Sequence, residues 1–228
     1  MPQPRSNRDR LTLAAIALFL ANGYEETTVD DIADAAGVAR RTFFRHFRTK
    51  EDAVFPDHDG CLARVREHLD QADASADPFA VTSRAAHLVL DLYAQDPATA
   101  AQRYQLTRQV ESLREREITT TSRYQRVFAD YLHRCDAGKG EDDRLRLDVT
   151  AAAVVAAHNH ILRKWIREGG SDDIHARLDA ALGSVEATLR AWPTESAPHT
   201  DELLVLVARP GTPTWRLVRE IQAVEGRR

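Results

Sequence analysis

The sequence predicts an all-α fold: a small three-helix unit at the N-terminus, a larger helical body, and a short strand and helix at the C-terminus. Three observations carry this. Glycine and proline are sparse, 10 and 9 in 228 residues, so long stretches run without a helix breaker. Apolar residues recur every three to four positions through most of the chain, the period of a helix with one buried face. Hydrophobic residues make up 43% and charged ones 29%, which suits a packed core under a solvated surface and excludes a disordered chain.

Residues 7–21 form the first helix. Leu11, Ala14, Ala15, Leu18 and Phe19 make one apolar stripe, and Leu13, Ile16, Ala17 and Leu20 a second, so other helices surround it. Asn22-Gly23 stops it. Arg5, Arg8 and Arg10 precede this run in the order of a secretory signal. The run is too short to span a membrane, and no clear A-x-A cleavage site follows.

Thr28 opens a short helix with Asp31 three residues later, a capping box with Asp in place of the usual Glu. Asp30 and Asp31 also suit the positive end of the helix dipole. Val29, Ile32, Ala33 and Ala36 form its inner face, and Gly37 supplies a turn at positive φ. Val38 plugs the core, and "ARRTFFRHF" forms a second short helix with Phe43 and Phe47 turned inward. "RTK" is the next turn, and "KEDAVF" starts a further helix over 50–71. Helices are expected over 79–94, 98–110, 115–135, 143–168 and 172–191, the last two joined antiparallel by Gly169-Gly170. "PTESAPHT" (193–200) is a linker, Leu203–Ala208 a β-rich run read as a strand, and Thr212-Pro213 opens a last helix. The domains are therefore residues 1–50, 51–193 and 194–228.

The two cysteines, Cys61 and Cys135, form no C-x-x-C, and no Cys/His cluster has zinc spacing. Neither a metal nor a cofactor is expected. Isolated thiols fit a reducing compartment, hence a cytoplasmic location. No other apolar run approaches the ~18 residues of a membrane span.

Charge is uneven. Residues 1–50 carry a net +2 and residues 51–228 a net −6. Within the first segment, Arg40, Arg41, Arg45, Arg48 and Lys50 fall on or just past the second helix of the glycine-turn pair, with no acid among them. Helix, glycine turn, helix is a helix-turn-helix, whose second helix can enter a DNA major groove. Arg40 and Arg41 stand at its start, where side chains reach base edges and can pair with guanine. Thr42 offers a hydroxyl and a methyl. His46 and Lys50 lie further along, where phosphates are the contact. Thr28 can donate to phosphate as well as cap, and Phe44 can lie against the sugar-phosphate backbone. A solvated charged face is the plain alternative, and the preceding helix and glycine turn argue against it.

The stretches "LTLAAIALFLANGY", "TTVDDIADAAGV", "RRTFFRHF" and "TKEDAV", within residues 8–55, resemble the DNA-binding domain of the TetR/AcrR family of transcriptional regulators. The resemblance implies a homodimer held by the last two long helices, a double-stranded operator, and a small-molecule effector that releases it. It carries DNA contact onto Thr28, Arg40, Arg41, Thr42, Phe44, His46 and Lys50. Two positions depart from the family pattern. Phe44 stands where Tyr is frequent, and Ala39 where a capping Ser or Thr is frequent. The segment 201–228 is an addition to the usual layout.

In the body, His87, Tyr104 and His158 are the candidate ligand contacts. Arg103, Arg108 and Tyr124 either line the same cavity or cover apolar surface with their stems. His158 lies on the apolar stripe of Val154, Ile161 and Trp165, where a satisfied core histidine is the plain alternative. His158 and His160 are two apart on a helix and make poor joint metal ligands. The expected function is a ligand-released dimeric repressor. An activator, or a regulator answering to a protein partner, is the alternative. An enzyme with an accessory DNA-binding module finds no phosphate loop, G-x-S-x-G or metal-spaced cluster to support it.

Overall fold

The computed structural model describes residues 6–136 and 141–191. Among them it shows nine helices and no strand: α1 (Asn7–Asn22), α2 (Val29–Ala35), α3 (Arg40–His46), α4 (His58–Asp70), α5 (Pro78–Ala94), α6 (Pro97–Gln109), α7 (Glu111–Cys135), α8 (Glu141–Arg167) and α9 (Ile174–Arg190). The strand expected at Leu203–Ala208 and the helix after it lie outside the described residues. No described helix is long and apolar enough to cross a membrane.

Local chemistry sets the helix ends. Ser6 and Asp9 close a capping box at α1, and Thr28 and Asp31 close one at α2. Asp77 and Asp96 cap α5 and α6, each followed by a proline in the first turn. Gly37 sits at φ +63°, and a Cβ there would stand 2.9 Å from Arg10 Nη2, so conformation and space both select glycine. Gly169 and Gly170, at φ +90° and +67°, turn α8 back onto α9. The Trp165 indole donates to the Asp172 main-chain oxygen at 2.9 Å and closes that turn.

One expected element is different. Residues 50–55 are turns, not the start of a helix. Pro56 has no N–H and disfavours helical backbone just before it. Val54 and Phe55 instead bond back to Glu51 and Asp52, i to i−3. The Asp52 carboxylate accepts from the Arg48 and Thr49 amides at 3.0 and 3.2 Å and fixes the turn. The chain resumes as α4 under an Asp57 cap.

Two hydrophobic cores result. The first joins Leu11, Ala15, Ile16 and Phe19 of α1 to Ile32 of α2, Phe43 and Phe47, and Ala53, Val54 and Phe55 of the turn. Leu106 of α6 and Leu113 of α7 complete it. The second gathers the inner faces of α4, α5, α7, α8 and α9 around Leu62, Leu90, Phe128, Val154, Trp165 and Leu178. Fully burying an aliphatic or aromatic side chain contributes roughly 1.5–3 kcal/mol, so these faces decide which helices pair. The second stripe expected on α1 is less covered: Ile16 is buried, but Ala17 is exposed and Leu13 and Leu20 only half-buried.

Candidate nucleic-acid interface and ligand cavity

α3 is held by its aromatic residues. Phe43 is fully buried and meets Phe44 edge-on and Phe47 at a tilt, each with ring centroids 5.4 Å apart. This anchor turns Arg40, Arg41, Phe44 and Arg45 outward, all exposed, with Thr42 half-buried. Phe44 is 48% exposed. Ala39 makes no side-chain cap.

The cations on this face differ in how they are held. Arg40 pairs with Asp30 of α2, and its guanidinium carbon lies 5.4 Å from the Phe44 ring centroid. Arg41 forms no hydrogen bond or ion pair with a described residue and projects freely. Lys50 is turned inward. Its Nζ donates to the main-chain oxygens of Tyr24 at 2.7 Å and Thr27 at 3.2 Å, and stands 4.1 Å from the Tyr24 ring centroid. Its ammonium protons therefore tie the loop before α2 to the turn after α3.

The Thr28 hydroxyl donates to Asp31 Oδ2 at 2.7 Å and accepts from the Asp31 amide at 3.2 Å. The hydroxyl bond, with the Thr28 amide donating to the same Oδ2 at 2.9 Å, holds the Asp31 carboxyl below its usual range. His46 has its Nε2 buried without a partner, and burial lowers its pKa, with the charges of Arg45 and Arg8 adding to the effect. Arg8 reaches over from α1, donating to the His46 main-chain oxygen at 3.4 Å and lying 4.7 Å from the Phe47 ring centroid.

A cavity of about 70 Å³ lies in the helical body. Its apolar wall includes Ala86, Val89, Phe128, Val155 and Leu162, and its polar groups include His58, Arg103, Tyr104, Tyr124, His158 and Asn159. Tyr104 and His158, both expected at a ligand site, are brought together here. His87 is not among the lining residues. It stacks on His175 of α9, with Nδ1 atoms 2.9 Å apart, and its Nε2 meets Asp179 at 2.8 Å.

His58 sits between two tyrosines: its Nδ1 is 3.1 Å from the Tyr124 hydroxyl and its Nε2 3.3 Å from that of Tyr93. A neutral imidazole has one donor and one acceptor, which suits two hydroxyls. Burial, reinforced by the Arg103 and Arg123 charges, pushes His58 down to about 4. His158 is also lowered to about 4 by burial, against the opposing effect of its bond to Asn159. Its Nδ1 lies 3.2 Å from Asn159 Oδ1, and its buried Nε2 has no partner. Arg163 and Glu117, also on the lining, pair with each other at 3.0 Å.

His58, Tyr93 and the Glu117–Arg163 pair were not among the expected site residues. His58 carried a signal, because Cys61 and Leu62 at i+3 and i+4 place it next to the buried stripe of α4. The ion pair bridges 46 positions and leaves no local pattern.

Residues 11–54 match the profile described as bacterial regulatory proteins, tetR family. The chain is 32% identical over 178 residues to MftR of Mycobacterium tuberculosis, named for transcriptional regulation of mycofactocin biosynthesis, covering 77% of this chain and 87% of that one. It is 28% identical over 202 residues to the HTH-type transcriptional regulator TcmR of Streptomyces glaucescens, covering 82% and 86%. The fold is shared with the fatty acid degradation regulator FadR from Bacillus halodurans, at TM-score 0.58 and 20% identity over 82% of this chain and 98% of that one. With a capped α2, a glycine turn and a solvent-facing basic α3 at its N-terminus, the chain belongs to the tetR family of bacterial regulatory proteins and is a helix-turn-helix transcriptional regulator.

Proposed function

We propose that the protein is a homodimeric repressor whose two heads read a double-stranded operator and whose body releases it on taking up a small molecule. The head is residues 1–50, the body 51–193, and 194–228 a C-terminal extension. Ala53, Val54 and Phe55, just past that boundary, pack into the head core.

One observation carries this reading: α6 and α7 belong to both places at once. Leu106 and Leu113 complete the head core. Arg103, Tyr104 and Thr107 of α6, and Glu117, Thr120 and Thr121 of α7, line the cavity. A volume of about 70 Å³ holds roughly five waters at about 10–15 Å³ each, well short of the ~300–1,000 Å³ of pockets for drug-sized ligands. A ligand of that size must part the helices around it, and α6 and α7 transmit the shift to the head.

On DNA, Arg41 and Arg40 are assigned to base edges and Thr42 to a base or sugar. Phe44, His46 and Thr28 are assigned to the backbone. For Arg40 and Thr28 this requires exchange of Asp30 and Asp31 for the nucleic acid. Lys50, engaged with loop carbonyls, contributes charge near the phosphates more than a direct bond. Two copies suit the reading, because paired heads match half-sites set by the helical repeat.

The test is enrichment of random genomic fragments on the full-length protein at two salt concentrations, with the Arg40→Ala/Arg41→Ala double variant as control. A palindrome enriched only by the parent protein supports sequence reading. Salt-sensitive binding without a motif, alike in both proteins apart from affinity, would leave the basic helix a mere electrostatic patch.

A further inference from the structure

Resting on the reading of the cavity as an effector site, we infer that the effector is an organic acid with an apolar body: a carboxylate taken by Arg103, and a hydroxyl that donates to His158 Nε2.

The charges lining the cavity support the acid. Only Arg103, Glu117 and Arg163 carry full charge there, since burial keeps His58 and His158 neutral at pH 7. Glu117 and Arg163 neutralise each other at 3.0 Å. Arg103 donates from Nε to the Val54 main-chain oxygen at 2.6 Å and makes no ion pair with a described carboxylate. It is a largely buried cation, on which the Asp96 and Asp9 carboxylates act electrostatically. A ligand anion at the cavity would add to that compensation, and a guanidinium with N–H groups left over matches a planar carboxylate.

The hydroxyl follows from His158, which is 6% exposed. Its Nδ1 faces the Asn159 carbonyl oxygen at 3.2 Å and so bears the proton. In a neutral ring Nε2 is then a bare acceptor, and it is buried without a partner on a residue that lines the cavity. A buried acceptor left unsatisfied calls for a donor, which a hydroxyl supplies and an ether or ester does not. The lining also includes aliphatic and aromatic side chains, among them Val89, Tyr93, Phe128 and Leu162, which fits a hydrocarbon or ring body.

The test uses matched probes on the full-length protein. One set is 6-hydroxy-2-naphthoate, its primary amide, and 2-naphthoate; the other is 10-hydroxydecanoate, its amide, and decanoate. Binding is read by calorimetry, and the effector reading by release of an enriched operator fragment. The expected result is that at least one hydroxy acid binds about tenfold or more tighter than its amide and tighter than the acid without the hydroxyl. Arg103→Met should erase the acid's advantage over the amide, and Arg103→Lys should restore part of it. The wild-type comparison stands even if the Arg103 variants fail to fold.

Amides that bind as well as the acids and release DNA would overturn the acid while leaving a ligand-released repressor intact. If no probe, charged or neutral, binds, the proposed class is wrong. If probes bind and the operator stays bound, the effector reading itself fails.

Discussion

Arg103 of α6 donates to the main-chain oxygen of Val54 at 2.6 Å, so a cavity-lining side chain holds the turn that follows α3. A second tie runs beside it: Arg116 of α7 pairs with Asp52 of the same turn. Asp52 Oδ1 is buried and has no hydrogen bond besides that ion pair, while Oδ2 caps the amides of Arg48 and Thr49. Removing Arg116 therefore strands a largely buried carboxylate oxygen. Arg116→Gln is expected to lower stability by about 1–2 kcal/mol, and Asp52→Ala by at least as much because the turn cap goes with it. Urea melts of the two variants check this. A silent Arg116→Gln would show that the tie contributes nothing in solution.

The two short helices of the head differ in their caps. Thr28 closes a box on α2, whereas Ala39 leaves the first amides of α3 without a side-chain acceptor. Thr28→Ala should cost about 1 kcal/mol, and Ala39→Ser should gain a similar amount. Thermal melts should move in opposite directions for the two variants. A drop in melting temperature for Ala39→Ser would mean that the serine fails to adopt the capping rotamer.

Arg41 and Lys50 should separate recognition from stability. Arg41 has no bond to a described residue, so Arg41→Ala should leave the melting temperature unchanged. It should weaken binding to an enriched operator fragment by about 1–3 kcal/mol, the size of a bidentate base contact. Lys50 anchors the Tyr24–Thr27 loop through the main-chain oxygens of Tyr24, Glu25 and Thr27. Lys50→Ala should lower the melting temperature and weaken specific and non-specific DNA alike. Paired melting and DNA-titration curves distinguish the roles, and equal loss of operator specificity in both variants would contradict this division.

The head was largely legible because its determinants are local. Thr28 and Asp31 are three residues apart, Gly37 marks the turn, and Phe43 and Phe47 are one helical turn apart. Lys50 was harder to read, because its acceptors lie 23, 25 and 26 positions earlier and its sequence neighbours are all typical of a DNA-facing cation. The helix expected at 50–55 gave way to Pro56 and to an Asp52 cap that compete with helical hydrogen bonding. In the body, periodicity located the helices but not what meets between them. His87 pairs with His175 across 88 positions, and Glu117 with Arg163 across 46; such partners are set by helix packing and leave no mark on local spacing.

Stability should depend on pH through the buried histidines. His58 and His158 are both lowered from the ordinary 6.5 to about 4, chiefly by burial. As pH falls through 6.5 the unfolded chain takes up a proton on each, while the folded protein does so only near 4. Between those values the unfolded state holds more protons, so stability falls as pH falls and this contribution levels off below about 4. The loss is of order 3 kcal/mol per histidine across the whole window. The interval from pH 6.5 to 5 is the cleanest, because ordinary carboxylates remain ionised there. Urea melts across that interval should show a positive slope of stability with pH. His158→Met removes one titrating group together with its unpartnered Nε2. It should cost little at pH 7.5, where an apolar side chain of similar size replaces an unsatisfied one, and it should reduce the slope, leaving the part due to His58 and to His46, which burial also lowers. An unchanged slope in His158→Met would show that His158 is not held neutral by its surroundings, and would remove the bare acceptor on which a hydroxyl-donating effector depends.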